Sequence, residues 1–208
     1  MTARWVDRLE RPLRFLEIPD LAAFLAGMNV LCAVLTYVKP EFPAQLLLEP
    51  SLVLRGQIWR MLTFVLVPPD LSALLLFFWL LLYFSYLSGL ERSWGSFRLT
   101  LYVLLGALTI AAASTAVGVA LGSGMFVTSL FLAFARESPE VRILLFFVIP
   151  VKIRWIGAVV WACIAWILLF GGYVDRLAVV SGLVNYALFY GGEHAFELKQ
   201  AWRRRRYR

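Results

Sequence analysis

Chemically reactive side chains are scarce in this chain. There is one histidine, His194, and there are two cysteines, and only 16% of the 208 residues are charged. Cys32 and Cys163 both fall within long apolar stretches, where they behave as small apolar side chains, so no disulfide, metal site or cofactor is implied. Low-complexity segments and internal repeats are missing as well. Charge is absent altogether from Leu99 to Ala135, between Arg98 and Arg136. At ~1.5 Å per helical residue that run would measure about 55 Å, against a hydrocarbon core of roughly 30 Å, so no single straight crossing contains it. The chain must fold back, and Gly118, Gly122 and Gly124 mark where, leaving a second limb that is unusually short.

What the chain has in excess is apolar surface. Its residues are 62% hydrophobic, with eight Trp and a mean hydropathy of +0.79, the composition of an integral, multi-pass membrane protein rather than a soluble domain. The uncharged windows place spans at Leu21–Val38, Leu71–Leu90, Leu99–Leu121, Met125–Ala135, Trp155–Val174 and Leu177–Gly192. No run alternates as a barrel strand would, so these six spans are helices that satisfy their own backbone hydrogen bonds. A small-residue cleavage site is missing before the first span, which argues against a removable signal peptide. When the loops are numbered alternately, one side collects the arginines of the N-terminal segment, Arg92, Arg98, Arg136, Arg142, Lys152, Arg154 and the basic C-terminus. The other side holds only Lys39, Arg55, Arg60 and Arg176. That asymmetry puts both termini in the cytoplasm, in a bacterial inner membrane or alternatively an ER or Golgi membrane. The net charge of +7 belongs to residues flanking spans and implies no nucleic-acid partner. The tail Trp202-Arg203-Arg204-Arg205-Arg206-Tyr207-Arg208 reads as a segment lying on anionic lipid headgroups.

Three domains follow: a cytoplasmic amphipathic segment over 1–20, with Trp5, Leu9, Leu13 and Leu16 at near-helical spacing; a six-helix membrane unit over 21–192; and a basic tail over 193–208. The connection from Lys39 to Asp70 is too apolar to be a solvated loop, and short helices half-immersed in the outer leaflet would satisfy it, with Trp59 at headgroup depth. Ile143 to Val151 is apolar but too short to span, and reads as a re-entrant or interfacial strand-like segment.

Three motifs stand in order on this framework: Gly56-Gln57-Ile58-Trp59-Arg60-Met61-Leu62-Thr63, Leu90-Glu91-Arg92-Ser93-Trp94-Gly95-Ser96 and Phe146-Phe147-Val148-Ile149-Pro150-Val151-Lys152. Over residues 20–192 the chain resembles the rhomboid superfamily, which includes intramembrane serine proteases and inactive relatives such as the derlins. The resemblance implies an all-α bundle of six transmembrane helices with a membrane-embedded first outer loop, braced by Trp59 and Arg60. It also implies a serine in Gly-x-Ser-Gly at the start of a short fourth helix and a histidine on the sixth. Counting back from Ser138-Pro139-Glu140 puts the serine's slot on Gly124, and matching Gly182 to the family's small residue puts the histidine's slot on Val179; Tyr186 departs from the pattern too. The oxyanion-binding slots on the second helix fall on Leu75 or Leu76 and on Trp79 or Leu80. A register slip of one would make Ser123 the nucleophile, but a serine needs a base within hydrogen-bond reach, and His194 lies past the sixth span.

The expected chain is therefore a pseudoprotease without catalytic residues. Its degenerate positions are Gly124 and Val179, and its function is to bind transmembrane helices of client proteins through Gly122, Ser123, Gly124 and Met125, for quality control, trafficking or regulation. On a purely structural reading the same small residues only make a tight reversal and let helices approach closely. Trp59 and Arg60 would on that reading be an interface anchor and its snorkelling partner. Glu91 is expected to pair with an arginine or to cap the third helix through Ser96. Asp175 and Arg176 pair internally or face a water-filled cavity, and Asn185 bonds across helices. A polytopic transporter or small-molecule protein is the alternative, and an active intramembrane protease the third reading.

Overall fold

Apolar runs of these lengths have one way to hide their backbone polar groups in lipid, and they take it. The computed structural model describes residues 4–145 and 149–206. Phe146-Phe147-Val148 of the third motif, Tyr207-Arg208, and the side chains of Trp5, Leu9 and the basic tail lie outside the described part. The helices are α1 (Arg4–Leu13), α2 (Leu21–Val38), α3 (Pro50–Leu54), α4 (Arg60–Thr63), α5 (Ala73–Trp94), α6 (Ser96–Val117), α7 (Gly124–Glu137), α8 (Ile153–Phe170) and α9 (Tyr173–Arg206). Four helical stretches, Glu10–Val38, Ala73–Trp94, Ser96–Val117 and Ile153–Phe170, are long and apolar enough to cross a membrane. α7 has only 14 residues, and α9 runs unbroken through Gly191-Gly192 into the basic tail, so length and composition alone do not reach the expected six crossings.

Between β1 (Arg142–Leu145) and β2 (Ile149–Lys152) the chain forms an antiparallel hairpin, with Arg142 opposite Lys152. This hairpin is the departure from an all-α class, and it occupies the stretch expected to be strand-like. At its base Lys152 donates to Glu140 at 2.8 Å and Arg154 pairs with the other carboxylate oxygen. The Lys152 hydrogen bond, with the Arg154 charge beside it, holds the Glu140 carboxyl below its usual range.

α7 is the centre of the bundle. From Phe126 to Ala135 it buries eight residues, including Leu130 and Ala133 at zero exposure, because α5, α8 and α9 pack around it. Lipid tails are as apolar as leucine, so helices in a bilayer associate by close packing, and small residues set how close they come. Here each neighbour presents a glycine. A β-carbon at Gly89 of α5 would collide with the Phe134 ring; one at Gly106 of α6 would lie 3.0 Å from Phe126; one at Gly157 of α8, 3.3 Å from Ala135; and one at Gly182 of α9, 2.6 Å from the Met125 β-carbon.

The start of α2 is held from a distance. Asp20 is in the left-handed region (φ 53°), costly for a residue with a β-carbon, and its side chain makes no cap. Glu91, near the end of α5, supplies the cap: Leu21 and Ala22 N–H groups donate to its carboxylate at 3.0 Å each, and the Ser96 hydroxyl donates at 2.8 Å. Val6 is fully buried and Leu13 packs on the same core, so α1 is docked on the bundle.

Candidate functional site

The reversal inside the uncharged run is made by Gly118. α6 ends at Val117, Gly118 takes φ +73°, its N–H bonds the Ser114 carbonyl at 2.9 Å, and the Ser114 hydroxyl donates to the Val119 carbonyl at 2.6 Å. Gly122 and Gly124 do neither job expected of them. Both have ordinary backbone angles, and a β-carbon at either would meet nothing within 4 Å. Their backbone stands open while the next residue, Met125, is pressed against Gly182.

Ser123 sits just before α7 with its hydroxyl aimed at the Val67 carbonyl at 3.4 Å, a long and weak bond. Val179 lies one turn before Gly182 and is 1% exposed within the hydrophobic core, so that slot is filled by packing rather than by water. His194 is 12 residues beyond Gly182 on the same continuous helix, about 18 Å along its axis. There its Nε2 lies 3.2 Å from the Tyr186 hydroxyl. On α5, Leu75 is exposed, Leu76 is buried and Trp79 stacks on Tyr83 with centroids 4.9 Å apart, so the oxyanion-binding slots are apolar in place as in sequence.

Trp59 is 53% exposed, but Arg60 is only 6% exposed and does not snorkel. Its Nε donates to Gln57 Oε1 at 2.7 Å, and its Nη1 donates to the Ala44 and Leu47 carbonyls at 2.8 Å each. A guanidinium fork satisfies several carbonyls that an irregular apolar loop would otherwise leave unmet. Phe64, Val65 and Leu48 of the same loop are buried, and the loop packs on α2 and α6. Across the α8–α9 turn Asp175 accepts from the Gly172 N–H at 3.1 Å and Arg176 donates to the Leu169 carbonyl at 2.9 Å, so this pair caps helix ends.

Asn185 ties three helices together. Its Nδ2 donates to Ser129 Oγ at 3.2 Å and reaches the Tyr102 carbonyl at 3.5 Å, while the Tyr102 hydroxyl donates to the Ser129 carbonyl at 3.0 Å. Among the buried serines and threonines, Thr100, Ser114, Ser129 and Ser181 each donate to a carbonyl within five residues. Among the described residues no group of His, Cys, Asp and Glu could hold a metal ion.

On each side of α7 stands a helix with a bare outer face. α5 and α8 both pack on α7 but make no extensive contact with each other. Leu74, Leu75, Phe77 and Leu81 of α5 and Trp155, Val159 and Trp166 of α8 are exposed along their outer faces. The model of one protein family, described as the Der1-like family, matches residues 18–200. No curated protein matches the chain.

Proposed function

The chain belongs to the Der1-like family, multi-pass membrane proteins of the rhomboid-like fold that are in general catalytically inactive, and on that premise we propose that it binds client transmembrane helices without cleaving them. The observation that carries this reading is the exposed apolar face of α5, with Leu74, Leu75, Phe77 and Leu81 uncovered, together with the open backbone at Gly122 and Gly124 where α7 begins. A client helix approaching along α5 would meet apolar side chains and, at the corner, glycines that let its backbone come close. Absence of proteolysis is supported by the corner itself, where Gly124 and Val179 offer neither nucleophile nor base and Ser123 lies far from His194.

The membrane arrangement belongs to the same proposal. α2 and α5 to α9 make six crossings with both termini in the cytoplasm, and the loop of α3 and α4 rests in the outer leaflet. Of the membranes considered, family membership favours the ER. At 14 residues α7 covers only about 21 Å, so the bilayer thins around the bundle and lowers the cost for a client helix carrying polar residues. A transport function is disfavoured because the buried serine and threonine hydroxyls at 100, 114, 129 and 181 bond backbone within five residues rather than line a path.

Photocrosslinkers at positions 81 and 124 in native membranes should trap unstable or single-pass membrane proteins, with little trapped from position 34 on the outer face of α2. Equal trapping from all three would sink helix recognition. A serine-directed fluorophosphonate should leave the protein unlabelled, and labelling that vanishes in Ser123→Ala would restore the protease reading.

A further inference from the structure

Among the described residues, two facing helices each bury a polar atom that has no hydrogen-bond partner. Asn29 of α2 is fully buried; its Nδ2 donates to the Leu25 carbonyl at 2.9 Å and reaches the Val65 carbonyl of the outer loop at 3.5 Å, and its Oδ1 is the unpartnered atom. Two carbonyls at one end of the amide fix which end is nitrogen, since exchanging the atoms would set oxygen against oxygen. The other end is therefore an acceptor. On α5 the unpartnered atom is the hydroxyl of Tyr83, whose side chain is 1% exposed and whose ring stacks on Trp79 at 4.9 Å. That hydroxyl has a proton to donate. The register of the helices brings the two groups to one level. α2 and α5 pack extensively, and Glu91 near the end of α5 bonds the Leu21 and Ala22 amides at the start of α2, so the two helices run antiparallel. Asn29 stands eight residues after Leu21 and Tyr83 eight before Glu91, each about 12 Å from the shared cap. Both side chains are turned away from lipid into the core.

We propose that a single water molecule is bound between α2 and α5, accepting a hydrogen bond from the Tyr83 hydroxyl and donating to Asn29 Oδ1 and to the Val65 carbonyl. Internal waters are held by two to four polar partners, and this site supplies three. The Val65 carbonyl has capacity left, because its bond from Asn29 is at the limit of length. Tyr83 and Asn29 do not bond each other, and axes of packed helices about 8–10 Å apart leave room for one small molecule between two such side chains. Without it both oxygens would stand unmet inside the hydrocarbon region, where no lipid atom can serve them. The donor and acceptor pattern selects the occupant. One donor and two acceptors, all neutral, match a molecule that accepts once and donates twice, whereas an ion would find no opposite charge among them. Through Val65 the water fastens the outer loop to both helices. The site stands whether or not α5 receives client helices.

The test is pulsed X-ray footprinting of the full-length protein in nanodiscs. Water ionised by the pulse makes hydroxyl radicals where it sits, so a buried side chain beside a bound water is oxidised although radicals from bulk solvent do not reach it. Tyr102 is the internal control, because it is equally buried and its hydroxyl bonds the Ser129 carbonyl directly. Tyr83 should be oxidised several-fold faster than Tyr102 in the wild type, and Asn29→Leu, which removes an acceptor and fills the space, should bring it down to the Tyr102 rate. A second measurement guards against a leucine variant that merely misfolds. Tyr83→Phe deletes one oxygen and keeps the ring on Trp79, and in SDS titration it should shift the folding equilibrium several-fold toward the unfolded form, because a bridged hydroxyl is lost. An idle hydroxyl would make the same change neutral or stabilising, and that result would overturn the site. So would equal oxidation of Tyr83 and Tyr102 in the wild type, or fast oxidation of Tyr83 that survives in Asn29→Leu.

Discussion

The seam between α7 and α9 is built in opposite ways at its two ends. At Met125 and Gly182 the helices touch closely enough that a β-carbon on α9 would lie 2.6 Å from its neighbour, and Val179, one turn before Gly182, is buried. Toward the other end the rings of Tyr186 and His194 lie 6.0 Å apart, tilted by 31°, and a cleft opens beside them, with His194 about 18 Å beyond Gly182 along the helix. An active protease of this fold needs water and polar groups at the first end. Here Val179 is packed into the core at that end, and Arg136, Arg154 and His194 stand at the second. The difference teaches that α9 sets the character of the seam at both ends, by a glycine contact at one and by large polar rings at the other.

Breaking the closed end should cost most. Gly182→Val forces a branched side chain into the Met125 backbone, where carbon and oxygen already lie 3.1 and 3.2 Å from the site of a β-carbon, and should destabilise by about 1–3 kcal/mol in SDS titration of the reconstituted protein. Glu91→Ala leaves the Leu21 and Ala22 amides and the Asp20 conformation unsupported, at about 1–2 kcal/mol by the same titration, and Glu91→Gln should recover part of it. Asn185→Leu removes the bond to Ser129 midway along the seam and should cost about 1 kcal/mol.

Much of the bundle was legible beforehand because hydropathy and helix length are sequence properties. The window Leu21–Val38 coincides with α2, and Met125–Ala135 falls inside α7. A short apolar limb also had to be surrounded, since its ends could reach neither surface alone. The glycines were harder to read. Gly118, Gly122 and Gly124 stood out by clustering, yet only Gly118 needs its positive φ, while the packing is done by isolated glycines at 89, 106, 157 and 182, mid-helix positions where a residue costing about 1 kcal/mol relative to alanine is itself the signal. Glu91 bonding residues 70 positions away, Arg60 turned inward onto loop carbonyls, and the cleft at His194 are tertiary facts. No local spacing encodes them.

The corner allows a finer comparison. Gly118→Ala should cost about 1 kcal/mol because alanine is strained at φ +73°, whereas Gly124→Ala should be neutral or stabilising by a few tenths, since its backbone is already helical and the space beside it is open. Equal losses at the two positions in thermal unfolding would mean that the corner is packed after all.

The smallest effect separates the two ends by pH. The closed end has no titratable contact among Met125, Val179 and Gly182, while the hairpin at the lip of the open end rests on Glu140, held by Lys152 and Arg154 with Arg142 nearby. Because the folded carboxyl titrates below its ordinary value of 4.5, its contribution is fully present above that value and is lost as pH falls through the lowered one. Hydrogen exchange at Ile143 and Val151 should therefore accelerate between pH 5 and pH 3 relative to the intrinsic rate, while amides of α7 near Leu130 keep their protection. In Glu140→Gln the hairpin should exchange at the faster level throughout, because its carboxylate is gone at every pH. Acid that loosened α7 and the hairpin together would show that the two ends of the seam are mechanically one, and that the ion pairs at the lip brace the core as well as the cleft.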